Sequence, residues 1–144
     1  MKKIIIYSLL GILVIVVGVI VISCSSNPLR KSEARIRESI LDLTPIGMSM
    51  DDIIKMVESK EEWEPPRVNY EYGVLYDKRM RRFRYGNYIE ALSENFDITG
   101  EKSIDITMGH YSGFLVEVYV TAWWAFDEDS KLIDVFVYKE RTGF

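Results

Sequence analysis

Residues Ile4 to Ser23 form a run of twenty positions without a charged side chain, and fifteen of them are Ile, Leu or Val. Wound as a helix at about 1.5 Å per residue, the run would span roughly 30 Å, the hydrocarbon thickness of a bilayer. Each aliphatic residue favours insertion by about 0.3–0.6 kcal/mol, well beyond what Ser8, Ser23, Gly11 and Gly18 oppose. The segment is expected to enter a membrane, and it decides on which side of that membrane the rest of the chain works.

Lys2 and Lys3 precede the run and argue for a cytoplasmic N-terminus with the C-terminal part exported. Arg30, Lys31, Arg35 and Arg37 follow it and weaken that bias. Two uses of the segment stay open. Val21-Ile22-Ser23-Cys24 resembles a bacterial lipoprotein signal, which implies a thioether-linked diacylglycerol on Cys24, removal of residues 1–23 and a lipid-anchored product. The apolar run, however, is longer than the roughly 7–15 residues of a cleaved signal, and Val21 stands where Leu is commoner. A retained transmembrane helix with a single-pass, sensing role accounts for it equally well. Cys24 is the sole cysteine, and Ser25-Ser26-Asn27-Pro28 has tether composition, so residues 24–30 are expected to link the anchor to a domain spanning 31–144.

The 121 residues after Ser23 suffice for one domain with a core of its own. They hold 16 basic and 22 acidic residues, a net charge of minus six. That balance argues against nonspecific nucleic-acid binding, which needs a broad positive surface.

Lys31 to Leu43 carries Ala34, Ile36, Ile40, Leu41 and Leu43 at spacings that approximate one helical face. Thr44-Pro45-Ile46-Gly47 breaks it. Ser49, with Asp52 three residues on, marks the N-cap of a second helix whose stripe is Ile53, Ile54 and Val57. After Glu62 the period changes to two. Val68 to Tyr76 reads as one strand, Ile104 to Met108 as another, and Phe114 to Phe126 as a long central strand with every even position apolar. Asp127 to Lys131 is a turn, and Leu132 to Tyr138 is its hairpin partner. Helices followed by strands predict an α+β domain, two short helices packed on one face of an antiparallel sheet of about four strands. The other face, rich in Tyr and Trp, is expected to be partly exposed.

Leu43 to Ile54, with its Gly47-Met48 turn opening a short amphipathic helix, resembles the SmpA/OmlA (BamE-like) envelope lipoproteins. The resemblance implies helices before a small antiparallel sheet and a role in binding envelope proteins. The chain departs from that family at Glu58-Ser59-Lys60, where a Gly and a Pro are common, and no binding residue is carried over.

Catalytic constellations are sparse. His110, the single histidine, sits in Gly109-His110-Tyr111-Ser112-Gly113, which reads as a turn unable to orient a His110–Ser112 pair. One Cys and one His cannot supply a four-ligand Cys/His metal site, so no cofactor or metal is expected. Asp127, Glu128 and Asp129 lack the glycine and distal glutamate of a calcium loop. Asp105 and Glu117 are the pair that a carboxylate-dependent envelope hydrolase would use. The one unusual charge feature is Lys78, Arg79, Arg81, Arg82 and Arg84, five cations in seven residues. It is a candidate patch for anionic headgroups, cell-wall polyanions or an acidic protein, unless balanced by Asp51, Asp52, Glu58, Glu61, Glu62 and Glu64. The sequence is thus expected to encode a non-enzymatic, membrane-anchored, extracytoplasmic binding protein of undetermined oligomeric state.

Overall fold

The computed structural model describes residues 27–84, 94–113 and 115–143. The apolar run Ile4–Ser23, Cys24 and Phe114 lie outside the described residues. Among the described residues, no helix is long and apolar enough to cross a membrane. Helix α1 (Glu33–Leu43) starts at Ser32, whose hydroxyl accepts the N–H of Arg35, and it buries Ile36 and Ile40 one turn apart. It stops at Thr44, whose N–H and Oγ1 both donate to the Ile40 carbonyl, at 2.8 and 2.9 Å. Helix α2 (Met50–Glu58) starts at Ser49, which accepts the Asp52 N–H at 3.2 Å and donates its hydroxyl to the Asp52 carboxylate at 2.6 Å. Met50, Ile53 and Val57 are its buried stripe, with Ile54 only half-buried.

Among the described residues seven strands follow: β1 (Arg67–Asn69), β2 (Val74–Asp77), β3 (Arg82–Arg84), β4 (Phe96–Thr99), β5 (Lys102–Ser112), β6 (Val116–Phe126) and β7 (Leu132–Gly143). They make two antiparallel sheets, a four-stranded one in the order β1-β5-β6-β7 and a three-stranded one in the order β3-β2-β4. The α+β expectation of two helices with a four-stranded antiparallel sheet is met, and the second sheet is additional. Even positions of β6, from Val120 through Ala122 and Trp124 to Phe126, pack with Ile104 and Ile106 of β5 beneath Ile36, Ile40, Ile53 and Val57. At about 1.5–3 kcal/mol for each fully buried large side chain, this layer dominates the stability of the domain. The connection between the helices is pinned to the β6–β7 hairpin: Gly47 N–H donates to Leu132 O, Leu132 N–H to Met48 O, and Met50 N–H to Ser130 O.

Two sequence expectations need correction. Val68 to Tyr76 is two strands in different sheets. The Asn69 side chain accepts the N–H groups of Glu71 and Tyr72 and ends β1, after which Gly73 lets the backbone cross to the second sheet. A Cβ on Gly73 would lie 2.0 Å from the Thr99 carbonyl oxygen, so only glycine fits that crossing. Gly109 to Ser112 is not a turn; it belongs to β5, with a bulge at Gly109, and the reversal lies at Gly113–Val116. The aromatic face, expected to be partly exposed, is covered at one end. Val74 packs on Trp123 and Ala125, joined by Phe83 and Phe136, so the three-stranded sheet seals that end of the larger one.

The segment expected to be a tether contains a 3₁₀ turn, Pro28–Arg30, that is held on the domain. Leu29 packs against the core, Arg30 donates to Ser112 O at 2.8 Å, and the Lys139 ammonium donates to the carbonyls of Leu29 and Lys31 at 2.7 and 2.5 Å. Arg30 and Lys139 both lie over the Tyr111 ring, at 4.9 and 5.2 Å.

Candidate functional site

The basic stretch folds as a hairpin because Asp77 turns it. Asp77 ends β2, and its Oδ1 accepts the N–H groups of Arg79 and Met80, both at 2.9 Å, while Arg81 takes a left-handed φ of 54°. The Met80 N–H does most to hold the Asp77 carboxyl below its ordinary value of 3.8; burial opposes, and the Arg79 N–H and the Arg84 guanidinium help. Three of the five cations of the patch are paired within the domain. Lys78 meets Asp97 at 2.8 Å, Arg82 meets Glu140 at 3.1 Å, and Arg84 lies 3.7 Å from Asp77. Their countercharges are therefore Asp77, Asp97 and Glu140, rather than the acids of residues 51–64. Among the described residues, Arg79 and Arg81 form no ion pair, and Met80 between them is 58 % exposed.

Behind the hairpin lies a cleft of about 270 Å³, lined by Arg67, Arg82, Arg84, Trp123, Tyr138 and Glu140 among others. Its floor is aromatic. The Phe83 ring centroid lies 4.9 Å from that of Phe136, 5.2 Å from that of Tyr76 and 6.4 Å from that of Trp123, an arrangement of tilted contacts that fixes β3 against β6 and β7. Arg67 closes one side by donating Nε and a terminal nitrogen to Asp105, which is buried on β5. Burial pushes the Asp105 carboxyl up from its ordinary value, and the Arg67 guanidinium offsets this only in part.

Two donors in this region are unsatisfied. The Trp123 indole N–H and the Arg82 Nε–H are both buried and find no hydrogen-bond partner among the described residues. Each such orphan costs about 1–3 kcal/mol. The next residue shows the ordinary solution: on the opposite face, Trp124 donates its indole N–H to Thr44 Oγ1 at 3.0 Å.

The remaining sequence candidates are dispersed. His110 is exposed and stacks on Tyr119 at 5.3 Å. Ser112 lies two positions along the same strand, roughly 7 Å away at the strand repeat and beyond the reach of a base and its nucleophile. Asp105 pairs across the sheet with Trp123 and Glu117 with Ser112, which puts seven residues of β5, roughly 23 Å, between the two carboxylates. They are not brought together. Asp127 Oδ1 accepts the Lys131 N–H at 2.8 Å as part of its turn, and among the described residues no three His, Cys, Asp or Glu side chains gather to hold a metal.

Sequence reasoning did not single out Arg67, Trp123, Tyr138 or Glu140. The odd-numbered positions of β6 did mark Trp123 as belonging to the second face, but nothing in the spacing revealed that its N–H would lack a partner. On the helix side, a second cleft of about 330 Å³ lies between the 3₁₀ turn, α1 and Trp63, with an apolar lining that includes Leu29, Ile40, Leu43 and Met108. Comparison with known proteins found no matching protein family, no matching curated protein and no matching solved structure.

Proposed function

We propose that this chain is a membrane-anchored, extracytoplasmic binding protein without catalytic activity, and that the Asp77–Arg84 hairpin engages an anionic partner, either an acidic protein surface or a surface polyanion. The observation that carries this reading is the hairpin tip. Arg79 and Arg81, with no carboxylate partner among the described residues, flank an exposed Met80 on a domain whose net charge is negative. Electrostatic steering by such a tip raises association rates, and the methionine adds an adaptable apolar contact. The anchor is either the apolar run Ile4–Ser23, retained as a helix, or, where that run is removed, a lipid on Cys24, and Lys2 and Lys3 support export of the domain. Between Ser23 and the docked turn that starts at Pro28 lie four residues, able to reach roughly 14 Å, so the domain is held close to the bilayer. The resemblance of Leu43–Ile54 to the SmpA/OmlA (BamE-like) proteins adds the general role of binding envelope proteins.

The test is a photocrosslinking residue at Met80 in the native host's membranes. The expected result is a defined adduct that is lost when Arg79→Glu and Arg81→Glu are combined and when salt is raised. An adduct pattern indifferent to both changes overturns the reading. Mass spectrometry of the same protein reads the anchor: a first residue of lipid-modified Cys24 supports lipidation, and an intact N-terminus from Met1 refutes it.

A further inference from the structure

We propose that the cleft behind the hairpin is a binding site for a single carboxylate group, presented by an acidic side chain of a protein partner, which takes the place of Glu140 on Arg82. This deepens the reading of the hairpin as the binding element, and rests on that reading for the kind of partner but not for the site itself. The cleft is rich in donors. A guanidinium carries five N–H groups, yet Glu140 occupies only one terminal nitrogen of Arg82, and Arg84 meets Asp77 at a distance too long for a hydrogen bond. Trp123 is 6 % exposed, and its N–H and the Arg82 Nε–H are buried without partners among the described residues. A group that only accepts hydrogen bonds is what such a wall lacks, and a carboxylate offers two oxygens for it.

Charge narrows the choice. Arg67, Arg82 and Arg84 are already matched by Asp105, Glu140 and Asp77, so the region is close to neutral. A doubly charged phosphate that displaced Glu140 would still face Asp77 and Asp105 and leave one negative charge in excess, whereas a singly charged carboxylate in the same place restores the present balance around Arg82. Glu140 suits the role of placeholder. It lies near the end of β7, its side chain is 51 % exposed, and an exposed pair of this kind is weak and exchangeable. Phe83 and Tyr138, also in the cleft wall, give the aliphatic stem of an acidic side chain an apolar surface to lie against.

The experiment uses full-length ¹⁵N-labelled protein in phosphatidylcholine nanodiscs. The indole N–H resonances of Trp63, Trp123 and Trp124 are assigned by Trp→Phe variants, and acetate is titrated at constant ionic strength. The Trp123 resonance is expected to move saturably while that of Trp124 stays in place. Arg82→Gln is expected to weaken the response at least tenfold, with unchanged Trp63 and Trp124 resonances showing that the fold is intact. Glu140→Gln is expected to tighten it several-fold by removing the internal competitor. A blocked peptide with one internal glutamate should bind tighter than acetate, and inorganic phosphate more weakly than either. A Trp123 resonance unmoved by all three probes overturns the site. A peptide no tighter than acetate overturns the protein source in favour of a small organic acid. Because the titration contains no host partner, its failure leaves the hairpin reading to be judged by crosslinking alone, and the converse also holds.

Discussion

Trp123 and Trp124 are neighbours in sequence on opposite faces of one sheet, and their surroundings obey different rules. The face holding Trp124 lies under two helices, its buried side chains are almost all apolar, and the buried Trp124 indole N–H is answered by Thr44. The face holding Trp123 lies under a three-stranded sheet, and three of the four buried polar residues among those described, Asp77, Ser103 and Asp105, belong to that side. Packing decides the first face. On the second, aromatic contacts position charged groups whose hydrogen-bonding capacity is only partly used. Among the described residues the two orphaned donors both lie on the second side, which concentrates unspent binding capacity in one place.

The largest contrast should appear on truncation. Ile53→Ala, beneath the helix face, is expected to cost about 2–5 kcal/mol in urea unfolding, from lost transfer energy and the cavity left behind. Phe83→Ala, on the second face, is half-buried and should cost about 2 kcal/mol, roughly half the value for a fully enclosed ring. Equal losses would mean that the small sheet is as integral to the fold as the helices.

A smaller effect, confined to the second face, reads out in pH. Burial raises Asp105 above 3.8, so the stability it contributes is complete below about that value and is lost as pH rises through its folded-state pKa. Asp77 runs the other way. Its lowered pKa gives stability that is present above 3.8 and is lost as pH falls through the folded value. Asp105→Asn is therefore expected to flatten the decline in unfolding free energy just above pH 3.8. An unchanged slope would show that Arg67 compensates burial in full.

The helix face was legible in the sequence because each of its signals is local. Ser49 followed by Asp52, the Thr44–Gly47 break and the even-numbered run of β6 each act through neighbouring residues or a fixed period. The second sheet was hidden for the opposite reason. Val68 to Tyr76 keeps the two-residue alternation of a strand across the point where Asn69 and Gly73 turn the chain into another layer, and periodicity does not register a change of partner. The basic patch was legible as composition, but its pairing was not, since Asp97 and Glu140 lie 19 and 58 residues from Lys78 and Arg82. The cleft was least legible of all, because an orphaned donor is a property of the packed structure.

The most direct measurement on the two faces is urea unfolding of Trp123→Phe beside Trp124→Phe in the ligand-free protein. Both variants lose similar ring volume, so the difference between them reports the N–H. Trp124→Phe breaks a buried hydrogen bond and strands an acceptor site on Thr44, whereas Trp123→Phe removes a donor that has no partner among the described residues. Trp124→Phe should be the more destabilising by about 2 kcal/mol. Equal losses, or a larger loss at Trp123, would mean that the Trp123 N–H is satisfied in the folded protein and would contradict the division between a closed structural face and an open binding face.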